Sequence, residues 1–142
     1  DPGAGILFVS SGVRFPATQS ASTDANTLDD YEEGTWTPNQ GAGLTVVGAF
    51  TSAAKYVKVG KVVTVQGYVG AATSVACAAG SEILSNLPFA EDTTNVYSTC
   101  GLVNYAANSS SVGVVYSLVL QPTAAILATY RIFFSATYLT TA

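Results

Sequence analysis

The stretch ILATYRIFFSATYLT, residues 126–140, shows the clearest two-residue alternation in the chain. Successive side chains of a β-strand point to opposite faces, so this alternation predicts a strand with one face in the core. One predicted face carries Ala128, Tyr130, Ile132, Phe134, Ala136 and Tyr138, and the other carries Thr129, Arg131, Ser135 and Thr137. This pattern predicts an all-β fold.

Further strand-like runs precede this stretch at short intervals. They are residues 44–51, 55–59, 62–69, 96–105 and 112–121. Gly60-Lys61 predicts a hairpin turn, and Asn108 to Ser111 predicts another turn before the run at 112. Residues 71–81 fit either a weak strand or a packed loop. About seven strands without a helical pattern predict an antiparallel β-sandwich or a jelly-roll-like domain.

The chain divides into two predicted parts. Residues 1–26 hold short apolar islands and a polar connector, and we interpret them as a stem segment. Residues 27–142 form the predicted C-terminal β-sandwich head domain. The chain has no methionine, so we expect further protein to precede Asp1.

Charge is scarce along the predicted strands. Charged residues make up 10 % of the 142 residues, against about 25 % in an average protein. The net charge of −4 with five basic residues argues against nucleic acid as a partner. Outward strand positions without charge favour burial against further copies of the chain, and thus a closed symmetric homo-oligomer. The alternative is a monomer with a neutral surface suited to sugars.

The residue inventory restricts the chemistry that the chain can perform. Histidine is absent, which excludes Ser-His-Asp and Cys-His catalysis. Cys77 and Cys100 both lie in apolar surroundings, so buried free thiols are favoured over a disulfide, and they cannot make a structural zinc site within one chain. We predict no catalytic residue, no metal and no cofactor.

An acidic segment, residues 27–38, holds four of the nine acids and the lone tryptophan. Asp24, Asp29, Asp30, Glu32 and Glu33 could in principle bind calcium or form a glycosidase pair, but the spacing matches neither pattern. A structural role in routing the chain and in contacts between subunits is favoured, with Lys55, Lys58 or Arg131 as surface partners. Trp36 is interpreted as a packing anchor rather than a sugar-stacking ring.

Neutral loops are the predicted glycan-binding surface. Sugars bind to an aromatic face together with neutral hydrogen-bonding side chains, and loops at the end of a sandwich tolerate variation. The candidates are Asn104, Tyr105, Asn108, Ser109, Ser110 and Ser111, followed by Asn95 and Tyr97.

Several motifs resemble the C-terminal part of tail fibre and tailspike proteins of tailed bacteriophages. The most specific is the acidic segment, with its motif residues Leu28, Asp29, Asp30, Tyr31, Glu32, Glu33, Gly34 and Trp36. YVKVGKVV at 56–63 resembles the family's Y-x-K-I-G strand and turn, Leu87-Pro88-Phe89 resembles its G-L-P-F with Asn86 in place of the glycine, and the end of the chain is similar to its last strand.

The resemblance implies a virion protein at the distal tip of a phage tail fibre or spike. It implies a homotrimer that attaches to a bacterial surface receptor, either lipopolysaccharide, capsular glycan or an outer-membrane protein. It further implies that the acidic segment joins the stem to the terminal β-domain. A second expectation is a structural module that trimerises or caps a tailspike whose enzyme lies upstream.

Overall fold

A computed structural model describes residues 10–12, 14–15, 28, 30–94, 98–105 and 109–141. The described part of the chain is all-β and contains no helix. Its strands are β1 (Tyr31–Trp36), β2 (Leu44–Val47), β3 (Phe50–Val59), β4 (Val62–Cys77), β5 (Ser98–Asn104), β6 (Ser109–Tyr116), β7 (Val119–Pro122) and β8 (Ile126–Leu139). The predicted all-β class is therefore confirmed.

All eight strands belong to one open antiparallel sheet. Its order is β1-β3-β4-β8-β5-β6-β7, and β2 pairs with the second half of β4. The long strands β4 and β8 pair side by side at its centre. The finer prediction of two packed sheets stays a prediction.

One apolar core is enclosed by the sheet. It draws side chains from β2 through β8, including Val63, Phe134 and Leu120, and from Ile83 and Leu84. β2 and β7 contribute to the same core although they lie far apart in the strand order, so the sheet must curl around it.

The segment 82–84 links these two parts of the sheet through backbone hydrogen bonds. The Ile83 amide donates to the Leu120 carbonyl at 2.8 Å, and the Gly41 amide donates to the Ile83 carbonyl at 3.0 Å. The segment thereby connects β7 to the residues that precede β2.

The hairpin predicted at Gly60 is confirmed, since Val59 pairs with Val62 and Gly60 has a φ of +55°. Residues 71–81, which the sequence left open, continue β4 as far as Cys77. The predicted strand 44–51 is instead divided between β2 and β3 at Gly48, whose φ of +88° turns the chain.

The prediction of one strand at 112–121 after a turn at 108–111 is wrong. β6 already begins at Ser109, and the turn lies at Ser117-Leu118. Both turn residues have positive φ, 51° and 67°, which is the backbone of a two-residue hairpin turn. Neither residue is the Asn or Gly that usually marks such a turn.

The alternation in β8 holds only for its second half. Ile132, Phe134, Ala136 and Tyr138 are buried, but Ala128 and Tyr130 are exposed and Thr129 is buried. The register between β4 and β8 shifts between Gly70 and Val75, opposite this point, and the irregularity exchanges the two faces.

The interpretation of Cys77 and Cys100 as buried free thiols is confirmed. Burial raises the pKa of each thiol to about 11. Both therefore carry their proton at neutral pH, and we expect them to react slowly with thiol reagents.

The buried carboxylate of Glu91 supports the Ser117-Leu118 turn. It accepts hydrogen bonds from the amides of both turn residues, while its Oε2 atom has no partner among the described residues. Burial is the main influence on this group and raises its pKa.

We expect the Glu91→Gln variant to be more stable than the wild type at pH 7. The pKa of Glu91 is higher in the folded than in the unfolded state. The contribution of this group to the stability of the fold is therefore fully present below the unfolded-state pKa and is lost as the pH rises through the folded-state pKa. Glutamine keeps an acceptor for the turn without this loss. Urea unfolding between pH 4 and pH 8 tests the difference, and equal pH slopes for both proteins would contradict it.

Candidate functional site

Residues 31–36 of the acidic segment form strand β1, which among the described strands pairs only with β3 and so lies at the margin of the sheet. Its carboxylates are held by tyrosines: the Tyr56 hydroxyl donates to Glu32 at 2.6 Å, and the Tyr31 hydroxyl donates to Glu33 at 3.1 Å. The hydrogen bond to Glu32, assisted by burial, raises the pKa of Tyr56 to about 12. Glu32 and Glu33 point to opposite faces of the strand, as alternation requires.

Asp30, just before β1, forms an ion pair with Lys58 of β3. The prediction that such pairs lie at the surface is wrong here, since the two side chains are only 9 % and 3 % exposed. The Lys58 ammonium also lies 5.3 Å from the centre of the Phe89 ring. Burial occurs because Lys58 follows the core-facing positions Ala54 and Tyr56 on β3.

No three His, Cys, Asp or Glu side chains of the described residues converge in a manner that could hold a metal ion. Leu28 is exposed, and Asp29 lies outside the described residues.

Gly34 permits the close packing of β1 on β3. A Cβ at this position would approach the Tyr56 hydroxyl to 2.7 Å.

Trp36 packs where the packing-anchor interpretation predicts. Its ring lies 6.1 Å from the ring of Phe134 and 6.5 Å from that of Tyr56. It is half-buried against the core. Its Nε1 atom has no hydrogen-bond partner among the described residues.

The predicted receptor-binding residues do not form one loop surface. Asn104 is buried, because it pairs with Ile132 on the core face of β5, whereas Tyr105 is 60 % exposed. Ser109, Ser110 and Ser111 belong to β6 rather than to a turn. Asn95, Tyr97 and Asn108 lie outside the described residues.

A groove crosses the outer face of the sheet, and the strand register explains its position. Trp36 pairs with Ala54, Ala54 with Gly67, and Gly67 with Phe134, which makes one row across β1, β3, β4 and β8. This row faces the core, so its neighbours in each strand face outward. The backbone of the row is the floor of the groove, which spans about 14 Å across four strands.

The two walls of this groove differ in chemistry. One wall is made of Thr35, Lys55, Gln66 and Ser135, and the other of Thr37, Ala53, Tyr68 and Phe133. The first offers hydrogen-bonding groups, and the second offers two aromatic rings. The cavity has a volume of about 680 Å³, within the usual range for ligand sites.

The aromatic wall continues beyond the groove into a second depression. The Phe133 ring lies 6.1 Å from the ring of Tyr68 and 6.2 Å from that of Tyr105. The Arg131 guanidinium lies 4.6 Å from the centre of the Tyr68 ring. The depression has a volume of about 460 Å³ and is lined by Thr51, Ala71, Ala72, Tyr105, Tyr130 and Arg131. We call the groove and this depression together the aromatic groove.

Of the predicted binding residues that the structure describes, Tyr105 alone lines the aromatic groove. Sequence reasoning missed Tyr68 and Phe133, although one signal for them was present. Phe133 lies between Arg131 and Ser135 on the polar face of β8, where an aromatic side chain does not pack in the core. An aromatic side chain on an outward face indicates a surface that meets something else.

This arrangement suits a ligand with apolar faces and many hydroxyl groups. A ring can stack on Tyr68 or Phe133 while Gln66, Ser135 and Thr35 exchange hydrogen bonds with its edge. A ligand of this kind can contact both walls at once.

No family model, curated protein or solved structure matches this chain. Among the described residues there is no helix of the length and apolarity needed to cross a membrane.

Proposed function

We propose that this chain is the C-terminal, receptor-binding domain of a tailed-bacteriophage tail fibre or tailspike. In this proposal it attaches the virion to its host by binding lipopolysaccharide or capsular glycan, without catalysis. The resemblance of the acidic segment and of residues 56–63 and 87–89 to such proteins supports the assignment. An outer-membrane protein is the other receptor that the resemblance allows.

The aromatic groove is the observation that carries the glycan-binding proposal. One wall presents Tyr68 and Phe133, and the other presents the hydrogen-bonding side chains of Gln66 and Ser135. Stacking on aromatic rings combined with neutral hydrogen bonds is the contact pattern that a sugar chain requires. These four side chains lie on the long, paired strands β4 and β8, which hold the contacts in place.

A homotrimer of sandwich-like domains is the proposed assembly. The outer face ends in an apolar row formed by Tyr31, Val59, Val62 and Leu139, each between 41 and 43 % exposed in the single chain. Contiguous exposed apolar side chains favour burial against another copy. Three grooves on one tip would bind a repetitive glycan with an avidity far above that of one site.

The same apolar row also favours a second function, a structural module that trimerises or caps a tailspike whose enzyme lies upstream. Deleting residues 18–142 from the full protein distinguishes the two functions. Receptor binding predicts a protein that still forms trimers but does not adsorb. The capping function predicts that trimers fail to form.

Adsorption of the labelled domain to a panel of bacterial strains tests the receptor-binding proposal. We expect binding to some strains, and we expect Tyr68→Ala to weaken that binding by about tenfold or more, because a stacking ring is lost. Tyr116→Ala is the matched control, since this exposed tyrosine lies in β6 outside the groove. Absence of binding to every strain, or equal binding by both variants, would contradict the proposal.

A further inference from the structure

The aromatic groove has the opposite charge to the rest of the protein. The chain carries nine acidic and five basic residues, for a net charge of −4. The charged residues that line the groove are nevertheless both basic, Lys55 and Arg131, and no acid among the described residues lines it. Two of the five basic residues thus stand at a site that holds none of the six acids in the described part of the chain.

From this we propose that the glycan bound in the aromatic groove is an acidic polysaccharide, whose carboxylate groups pair with Lys55 and Arg131. The inference rests on the proposed function and adds the chemical class of the receptor.

Both basic side chains are available to a ligand. Lys55 and Arg131 are exposed, and neither forms an ion pair within the described part of the chain. The acid on the outer face of β1 that lies nearest to Lys55 is Glu33, which pairs with Val57 in the strand register. Glu33 accepts a hydrogen bond from the Tyr31 hydroxyl. Lys58, by contrast, is buried with Asp30. Of the two lysines on β3, Lys58 is therefore engaged in a buried ion pair, whereas Lys55 is exposed to a ligand.

Arg131 is held in an orientation that suits a carboxylate. Its guanidinium lies over the Tyr68 ring, and its aliphatic stem covers Gly70, where a Cβ would come within 2.8 Å of the Arg131 Cγ. A stacked guanidinium keeps its in-plane donors directed outward, where they can bind both oxygens of a carboxylate. Such a preorganised side chain loses little freedom on binding.

The spacing of Lys55 and Arg131 on the sheet favours a ligand with several acidic groups. Lys55 aligns with Gln66 and Ser135, and Arg131 lies four residues before Ser135 on β8. The backbones of Lys55 and Arg131 are therefore separated by two strand spacings across the sheet and by four residues along a strand, which places them about 17 Å apart. Because the two backbones lie this far apart, a ligand that presents acidic groups at more than one point along its length fits the two cations better than a ligand with one acidic group.

Carboxylates fit this arrangement better than phosphate monoesters. Each position offers one positive charge, which balances one carboxylate. A phosphate monoester carries a charge of about −1.5 to −2 at neutral pH and would call for a second cation at each position. The groove supplies none.

Carboxyl reduction of the receptor tests the inference. Surface polysaccharide is extracted from strains that the domain binds, its carboxyl groups are reduced to alcohols, and both forms are titrated with the full chain. We expect reduction to weaken binding by about tenfold or more. Lys55→Gln and Arg131→Gln should each weaken binding to the native form by about tenfold, and binding of the reduced form by much less.

Lys61→Gln and Arg14→Gln are the matched controls, because they remove the same charges at exposed positions outside the groove. Equal binding of native and reduced polysaccharide would overturn the inference and leave the proposed function standing. So would binding that is lost only on removal of phosphate. If no strain is bound at all, the proposed function fails and this inference fails with it.

Discussion

The Lys58→Ala variant should lower the free energy of unfolding by about 3–5 kcal/mol. Lys58 and Asp30 are paired in a site where both side chains are almost fully buried. Removing the ammonium leaves the Asp30 carboxylate without its counter-charge and without access to water, which is the costly way to break a buried pair. Chemical denaturation at pH 7 measures the loss.

Two further variants separate the pair from the lysine itself. Lys61→Ala removes an exposed lysine from the turn that follows β3, and we expect a change within about 0.5 kcal/mol. Replacing both partners together, as Asp30→Leu with Lys58→Met, should cost far less than Lys58→Ala alone, because no buried charge is left. If Lys58→Ala costs less than about 1 kcal/mol, the pair is not buried in the way described.

The neighbours Phe133 and Phe134 should respond to truncation in opposite ways. Phe134 is 3 % exposed and packs against Trp36, so Phe134→Ala should destabilise the fold by about 3–5 kcal/mol. Phe133 is half-buried on the outer face, and its truncation should cost about 1 kcal/mol. Binding should change the other way, with a loss of about tenfold or more for Phe133→Ala at temperatures where both proteins are folded.

The two aromatic residues provide controls for each other, since they are adjacent and chemically identical. Thermal unfolding and adsorption to a susceptible strain supply the two measurements. A large loss of stability from Phe133→Ala would show that its ring belongs to the core. Unchanged adsorption of that variant would remove the aromatic wall from the binding site.

The sequence was sufficient to predict the strands with strong local signals. Alternation in the second half of β8 identified Ile132 and Phe134 as buried, and Gly60 identified the hairpin between β3 and β4. The turn at Ser117-Leu118 was missed because neither residue is typical of that backbone, and a buried carboxylate from Glu91 supports it instead. Such a long-range contact leaves no local pattern.

The aromatic groove could not be predicted because it depends on register. Tyr68 and Phe133 are 65 residues apart in the sequence, and only the pairing of β4 with β8 brings their rings together. A shift of one residue would turn either ring into the core. The alternation of faces along a strand also explains why Asn104 is buried whereas its neighbour Tyr105 lines the groove.

Mapping the ligand contacts by nuclear magnetic resonance tests the central claim most directly. The isotopically labelled domain is titrated with surface polysaccharide from a susceptible strain, and amide and aromatic shifts are followed. The proposal predicts that saturable changes concentrate on the walls of the aromatic groove, at Lys55, Gln66, Tyr68, Arg131, Phe133 and Ser135. Changes confined to residues 95–97 and 106–111, or no saturable change at all, would contradict it.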